Sequence, residues 1–241
     1  MPLGKFDKDL VMERKDIEEY FNVALATSLV IFGFDLDKLH ILLKFNENEP
    51  FKGAYILPSK YIKPDQSIDL NVKKLLISSI GTDDAYIEQL NASGKVFRNP
   101  LGRVLNIGHY GLIRFDHTET AKFKEAGLKW FAYDEIPDLA FDHNTIVDFA
   151  KERLKRRVKR RPVGFNLLPK EFTIFQLQSL YEEALNKSFD KRNFRKKIFN
   201  SMLLIDLEKS VETSAGKESK LYKFDEDKYA KMSSRGYDFL F

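Results

Sequence analysis

The sequence predicts two α+β units in one chain, the second a small helix-turn-helix domain with a hairpin. Three observations carry that expectation. Apolar runs of strand length recur from Val23 to Tyr133 around a single helical stretch. A long basic helical segment then stops at Pro162-Val163-Gly164. Beyond it come a capped helix, a short turn, a basic helix and two strands.

Composition sets the outer limits. The 241 residues suit two modest domains, and 43% hydrophobic with 13% aromatic residues is enough to build their cores. Cysteine is absent, which excludes disulfides, thiolate zinc sites and cysteine nucleophiles and fits a reducing compartment. Residues 1–19 are charged throughout and read as an N-terminal extension, not a secretory signal. The longest apolar run, Val23 to Phe34, is too short and too β-branched to span a bilayer. A cytoplasmic protein with no membrane partner is expected.

Charge is unevenly placed. Residues 1–150 hold 18 Lys+Arg against 23 Asp+Glu, net −5, and residues 151–241 hold 22 against 13, net +9. An acidic front and a basic back imply different partners, with a polyanion for the basic half.

In the front half, Val23–Phe34 and Leu39–Phe45 read as a hairpin of buried strands, and Ala54–Ile62 as a further strand. Ile68, Val72, Leu75, Leu76, Ser79 and Ile80 keep helical spacing, and Gly81 closes the segment as a C-cap. Ala85–Phe97 and Val104–Phe115 read as paired strands around Asn99-Pro100-Leu101-Gly102, and Lys129–Tyr133 as another strand. Asn144–Arg161 reads as a long helix. Its end, KERLKRRVKRR (151–161), carries eight cations and is either an exposed linker or an extra phosphate contact.

In the back half, Thr173 and Gln176 stand at capping-box spacing. Leu177, Leu180, Tyr181, Ala184 and Leu185 form one helical face. Asn186–Phe189 is a turn, and Asp190 caps a second helix with Phe194, Ile198 and Met202 facing inward. Leu204–Val211 and Lys220–Phe224 are strands around a polar tip. That is the winged-helix layout. The inward stripe leaves Lys191, Arg192, Asn193, Arg195, Lys196 and Lys197 outward. Long cations and an amide suit phosphates and base edges, so duplex DNA is the expected partner. Thr173, Gln176, and Lys217 and Lys220 on the wing complete the candidate DNA-binding set. RNA or an acidic protein is the alternative partner.

Leu57–Gly81, LPSKYIKPDQSIDLNVKKLLISSIG, resembles a degenerate Nudix signature, the motif of hydrolases that cleave nucleoside diphosphates linked to other groups. In that family, carboxylates on one helical face hold Mg²⁺, a hard ion that takes oxygen ligands. Lys60 stands for the first Gly, Gln66 for the first Glu, Lys74 for the Arg, and Leu75, Ser78 and Ser79 for the three Glu. Asp65, Asp69, Asp83 and Asp84 do not rebuild that face. The resemblance therefore implies no catalytic residue, no metal ligand and no cofactor. A Nudix hydrolase of ADP-ribose or a related compound with relocated carboxylates is the alternative.

GFNLLPKEFTIFQLQSLYEEALNKSFDKRNFRKKIF (164–199) resembles the winged helix of Nudix-related transcriptional regulators. This implies a Nudix-like α/β/α sandwich over residues 20–161, basic helix included, followed by a winged helix-turn-helix DNA-binding domain over 162–241. It also implies a homodimer whose inactive Nudix-like domain senses a small metabolite. Some members respond to ADP-ribose, and others to a sugar such as arabinose. The stretch is most similar to the sugar-responsive kind, so a sugar or nucleotide-sugar fragment is the expected effector. Arg98 and Arg103 flank a turn near where Nudix folds admit ligand and are the candidate effector contacts, or surface arginines. His40, His109, His117 and His143 show no metal spacing and are read as structural or exposed. Trp130 is read as core.

Overall fold

The computed structural model describes residues 22–114, 125–212, 216, 218–239 and 241. The N-terminal extension, His117 and Lys217 lie outside the described residues.

The fold is organised around β1 (Ala24–Phe34), whose last nine residues are buried. It pairs antiparallel with β2 (Leu39–Phe45), as the apolar runs predict. It also pairs parallel with β6 (Val104–Arg114) over its whole length, from Ala24↔Val104 to Phe34↔Arg114. Parallel central strands are buried on both faces and read as continuous apolar runs. β5 (Tyr86–Ser93) lies antiparallel to β6, and β7 (Leu128–Ala132) antiparallel to β2. The single strand expected at Ala54–Ile62 is two pieces. β3 (Tyr55–Ile56) pairs with β2, and β4 (Ser59–Tyr61) pairs with β1. Leu57-Pro58 carries the chain from β2 to β1. Leu57 is fully buried, and Pro58 has no N–H to give a ladder.

One helix covers each face of this sheet. α1 (Ile68–Ile80) is the Leu57–Gly81 segment's helix, with Ser67 accepting from the Leu70 N–H at 3.2 Å and Gly81 closing it at φ 79°. Leu75, Leu76 and Ile80 bury against Leu29, Ile31, Leu42 and Ile113. Each such side chain contributes about 1.5–3 kcal/mol of apolar burial. α2 (His143–Arg160) covers the other face through Ile146, Val147, Ala150, Leu154 and Val158. The expected α/β/α sandwich is what the chain builds.

A buried 3₁₀ turn (Pro162–Leu167) follows α2, then β8 (Phe172–Thr173), α3 (Ile174–Leu185) and α4 (Lys191–Asn200). β9 (Leu204–Glu212) and β10 (Glu218–Phe224) form the wing, in a sheet of order β8-β10-β9. α5 (Glu226–Ser233) follows. β8 and α5 escaped the sequence reading. The expected boundary near Pro162 falls at the junction of α2 and the 3₁₀ turn, but the apolar core runs on through it. Leu154 and Val158 belong to one cluster with Phe165, Leu177, Tyr181, Phe194 and Phe239. Among the described residues no helix is long and apolar enough to cross a membrane.

Candidate functional site

The winged helix is assembled from its caps. The Thr173 hydroxyl accepts from the Gln176 N–H at 3.2 Å, and the Gln176 side chain accepts from the Thr173 N–H at 2.8 Å. This closes both ends of a capping box and fixes where α3 begins. Both side chains are held by the cap and Thr173 is buried, so these two candidates orient α3 and offer little free surface. The α3 face of Leu177, Leu180, Tyr181, Ala184 and Leu185 is buried as its spacing predicts. Asn186, in the left-handed region at φ 49°, turns the chain toward α4. There Asp190 accepts from the Asn193 N–H at 2.9 Å.

Phe194 and Ile198 anchor α4 in the core. Met202 does not join them. The helix ends at Asn200, Met202 sits at φ 55° with 60% of its surface exposed, and Leu203 takes the buried place. Once helical phase is lost, a four-residue repeat has no meaning.

Lys191, Arg192, Asn193, Arg195, Lys196 and Lys197 are all exposed. Among the described residues none of the five cations is in a salt bridge. Arg195 rests on the Phe199 ring at 5.2 Å and Lys197 on the Phe241 ring at 4.9 Å. On the wing, Lys220 is exposed and pairs with Asp206 at 3.0 Å. The arrangement is a buried apolar stripe under a row of unneutralised cations, which suits the phosphates and grooves of a duplex.

The cations of α2 are placed differently. Arg153 and Arg157 reach Glu88 of β5, both at 2.6 Å, and the same carboxylate accepts from Tyr86 at 2.8 Å and Tyr110 at 3.0 Å. Burial pushes the Glu88 carboxyl up, but Arg157, Tyr86 and Arg153 together hold it down at about 2. Lys151 lies over the Tyr133 ring at 2.9 Å. Lys151, Arg153 and Arg157 are thus engaged within the sandwich, while Arg156, Lys159, Arg160 and Arg161 of the same stretch are exposed. The first three line the inner edge of the sandwich's third layer.

The signature helix shows what became of the carboxylate positions. Leu75 is core. Ser79 is buried and Ser78 exposed, and both hydroxyls turn back onto the Leu75 carbonyl, at 2.8 and 2.9 Å. Gln66 accepts from Asn71 at 3.4 Å. Lys74 is exposed, as are Asp65, Asp69, Asp83 and Asp84, with Asp83 paired to Lys73 at 2.6 Å. Among the described residues no three His, Asp or Glu side chains converge on a point that would hold a metal.

A cleft of about 230 Å³ lies between the start of β1, β4, the start of β6 and the N-terminus of α2. Ser28, Ser59, Tyr61, Arg98, Asn106 and His143 are among its walls. Arg98 is among the residues that line it, but it is nearly buried and donates to both Asp142 carboxylate oxygens through one guanidinium edge, Nε at 3.0 Å and Nη2 beside it. Arg103 is not in the cleft. Its guanidinium donates to the Gly94 carbonyl at 2.6 Å, bracing the β5–β6 loop. Sequence reasoning missed His143, Asn106 and Ser28. His143 is buried and accepts from the Leu57 N–H at 3.0 Å, so the neutral ring carries its proton on Nε2. Burial lowers its pKa to about 4. His109 is buried too, bonded to the Ile107 carbonyl at 3.1 Å, and His40 meets Asp35 at 2.8 Å. Trp130 is half-buried beside the Leu29 cluster and lines a second cavity of about 640 Å³ at the end of α1.

Comparison with known proteins places this geometry. Residues 164–224 match the NrtR DNA-binding winged helix domain. The ADPR-responsive transcriptional repressor NtrR of Acinetobacter baylyi is 28% identical over 211 residues, 86% of this chain and 84% of that protein. The structure of Shewanella oneidensis NrtR complexed with a 27mer DNA superposes with a TM-score of 0.76 at 28% identity, covering 90% of this chain and 97% of that one. A MutT/nudix family protein from Enterococcus faecalis shares the fold at TM-score 0.66 and 18% identity, over 90% of this chain and 95% of its own. The expected kinship with sugar-responsive members finds no support, because the matched winged helix is that of NrtR and the curated relative is ADPR-responsive. Winged helix, sandwich and their order along the chain agree: over both units the chain is similar to the NrtR-like, Nudix-related transcriptional regulators.

Proposed function

We propose that the chain is an ADP-ribose-responsive repressor, acting as a homodimer in the cytoplasm, where its DNA is. Similarity to NrtR proteins over both units supports a DNA-binding regulator with a Nudix-type domain. The observation that carries the finer reading is its similarity, across 86% of its length, to a repressor that responds to ADP-ribose. Lys191, Arg192, Asn193, Arg195, Lys196 and Lys197 are the DNA-facing set, with Lys220 on the wing and Lys217 as a further candidate. Arg98 serves the effector cleft as a brace for Asp142. No hydrolysis accompanies binding, because Gln66, Leu75, Ser78 and Ser79 supply no anion for a divalent ion.

Two measurements test this. Fluorescence anisotropy on operator duplex should shift at least about fivefold in affinity when ADP-ribose is added, the lower end of ordinary allosteric coupling. An unchanged affinity sinks the effector assignment. Incubation with ADP-ribose and Mg²⁺ or Mn²⁺ should release no AMP, and release at catalytic rates would restore the enzyme.

A further inference from the structure

We infer that the cleft on the α2 side of the sheet reads an uncharged nucleobase through Asn106 and His143, against the Tyr61 ring, and leaves the diphosphate outside. The inference rests on the proposal that an ADP-ribose-like effector enters this cleft, and it specifies which end goes in.

Size is the first argument. Sites that enclose a whole small molecule run to roughly 300–1,000 Å³. This cleft holds about 230 Å³, enough for part of a nucleoside diphosphate sugar and not for all of it.

Polarity is the second. Asn106 is 1% exposed, its carbonyl takes the Ser28 hydroxyl at 2.9 Å, and its Nδ2 is buried with no partner. A buried amide donor without an acceptor is costly, and in a cleft it marks the place of a ligand acceptor. His143 adds a second neutral donor, since its Nδ1 is taken by the Leu57 N–H and its Nε2–H remains for the cleft.

Charge is the third. A diphosphate is held by cations, yet the cleft's guanidinium is closed on Asp142, which also sets a carboxylate at the α2 N-terminus. Glu49 adds a further anion to the wall. The exposed cation among the lining residues is Lys60, next to Tyr61 on β4. Tyr61 itself is 54% exposed and offers a ring face on which a planar base can stack. Neutral donors, an aromatic wall and no available cation on the floor select a base over a phosphate.

Calorimetric titration of the full chain with adenosine and with ribose 5-phosphate, each also as a competitor of ADP-ribose, tests the orientation. Adenosine should compete with ADP-ribose, and ribose 5-phosphate should bind at least about tenfold more weakly. Tyr61→Ala should weaken adenosine about tenfold while the protein stays folded, with at most a small drop in melting temperature from the lost Asn99–Tyr61 hydroxyl bond at 3.2 Å. Asn106→Asp, which replaces the donor by an anion, should do the same or more. Ribose 5-phosphate binding more tightly than adenosine overturns the inference, as does adenosine affinity indifferent to both substitutions. If adenosine binds and ADP-ribose does not, the effector reading falls and the base site stands. If neither binds, both fall.

Discussion

α2 and α4 carry almost the same cargo. KERLKRRVKRR and KRNFRKKIF are each more than half Lys and Arg, and each lays an apolar stripe on a core. Their surroundings separate them. Glu88 waits beneath α2 with two tyrosine hydroxyls and takes both Arg153 and Arg157. Among the described residues no carboxylate forms a salt bridge with the α4 cations, of which Arg195 and Lys197 rest on aromatic rings. A run of positive charge therefore says little until the carboxylates near it are counted. In α2 the charge holds a layer in place, and in α4 it is left for a partner.

The largest expected effect comes from breaking the α2 side. Glu88→Ala leaves two arginines without their carboxylate and should cost about 2–3 kcal/mol in urea unfolding, somewhat below the loss for a fully buried pair. Below the melting temperature, DNA affinity should hold. Breaking the α4 side should do the reverse. Arg192→Ala should weaken operator binding about tenfold, within the roughly 1–3 kcal/mol of a base or phosphate contact, and leave stability within about 0.5 kcal/mol. Arg156→Ala on α2, an exposed control, should leave gel-shift affinity unchanged, and a loss matching that of Arg192→Ala would erase the distinction.

Acid should separate the two helices as well. Glu88 is held at about 2, below its ordinary 4.5, so its contribution is complete above about 4.5 and fades as pH falls toward 2. His143 acts earlier. Its folded pKa of about 4 lies below the usual 6.5, so the unfolded chain binds the proton first and stability declines from pH 6.5 toward 4. Denaturant titrations at stepped pH should show both losses, and Glu88→Gln should abolish only the lower one. The smallest of the expected stability losses belongs to the cap, where Thr173→Ala should cost about 1 kcal/mol.

Much of this was legible in the residues, for reasons of range. α1 has the predicted bounds because spacing and the Gly81 cap are local signals, and the α3 capping box is a four-residue message. Long-range facts left no such trace. The parallel union of β1 with β6 joins residues 80 apart, as in Ala24↔Val104. Arg157 meets Glu88 across 69 positions, so the run at 151–161 could not reveal its partner. Asn106 is a single polar residue in an apolar strand and His143 one of the polar run Asp142–Thr145, and they are visible as a site only when the cleft closes around them. The failure at Met202 had a local cause, since periodicity tells where a helix faces and not where it stops.

One core passes from Leu154 and Val158 of α2 into Leu177, Tyr181 and Phe194 of the winged helix, and Glu183 of α3 accepts from the Leu39 N–H at 3.2 Å. Sandwich and winged helix are therefore not interchangeable cassettes. A lineage that traded this winged helix for another would have to recut the back of its sandwich in the same event. Descent should keep the pair together, and changes on one side of that seam should be answered on the other.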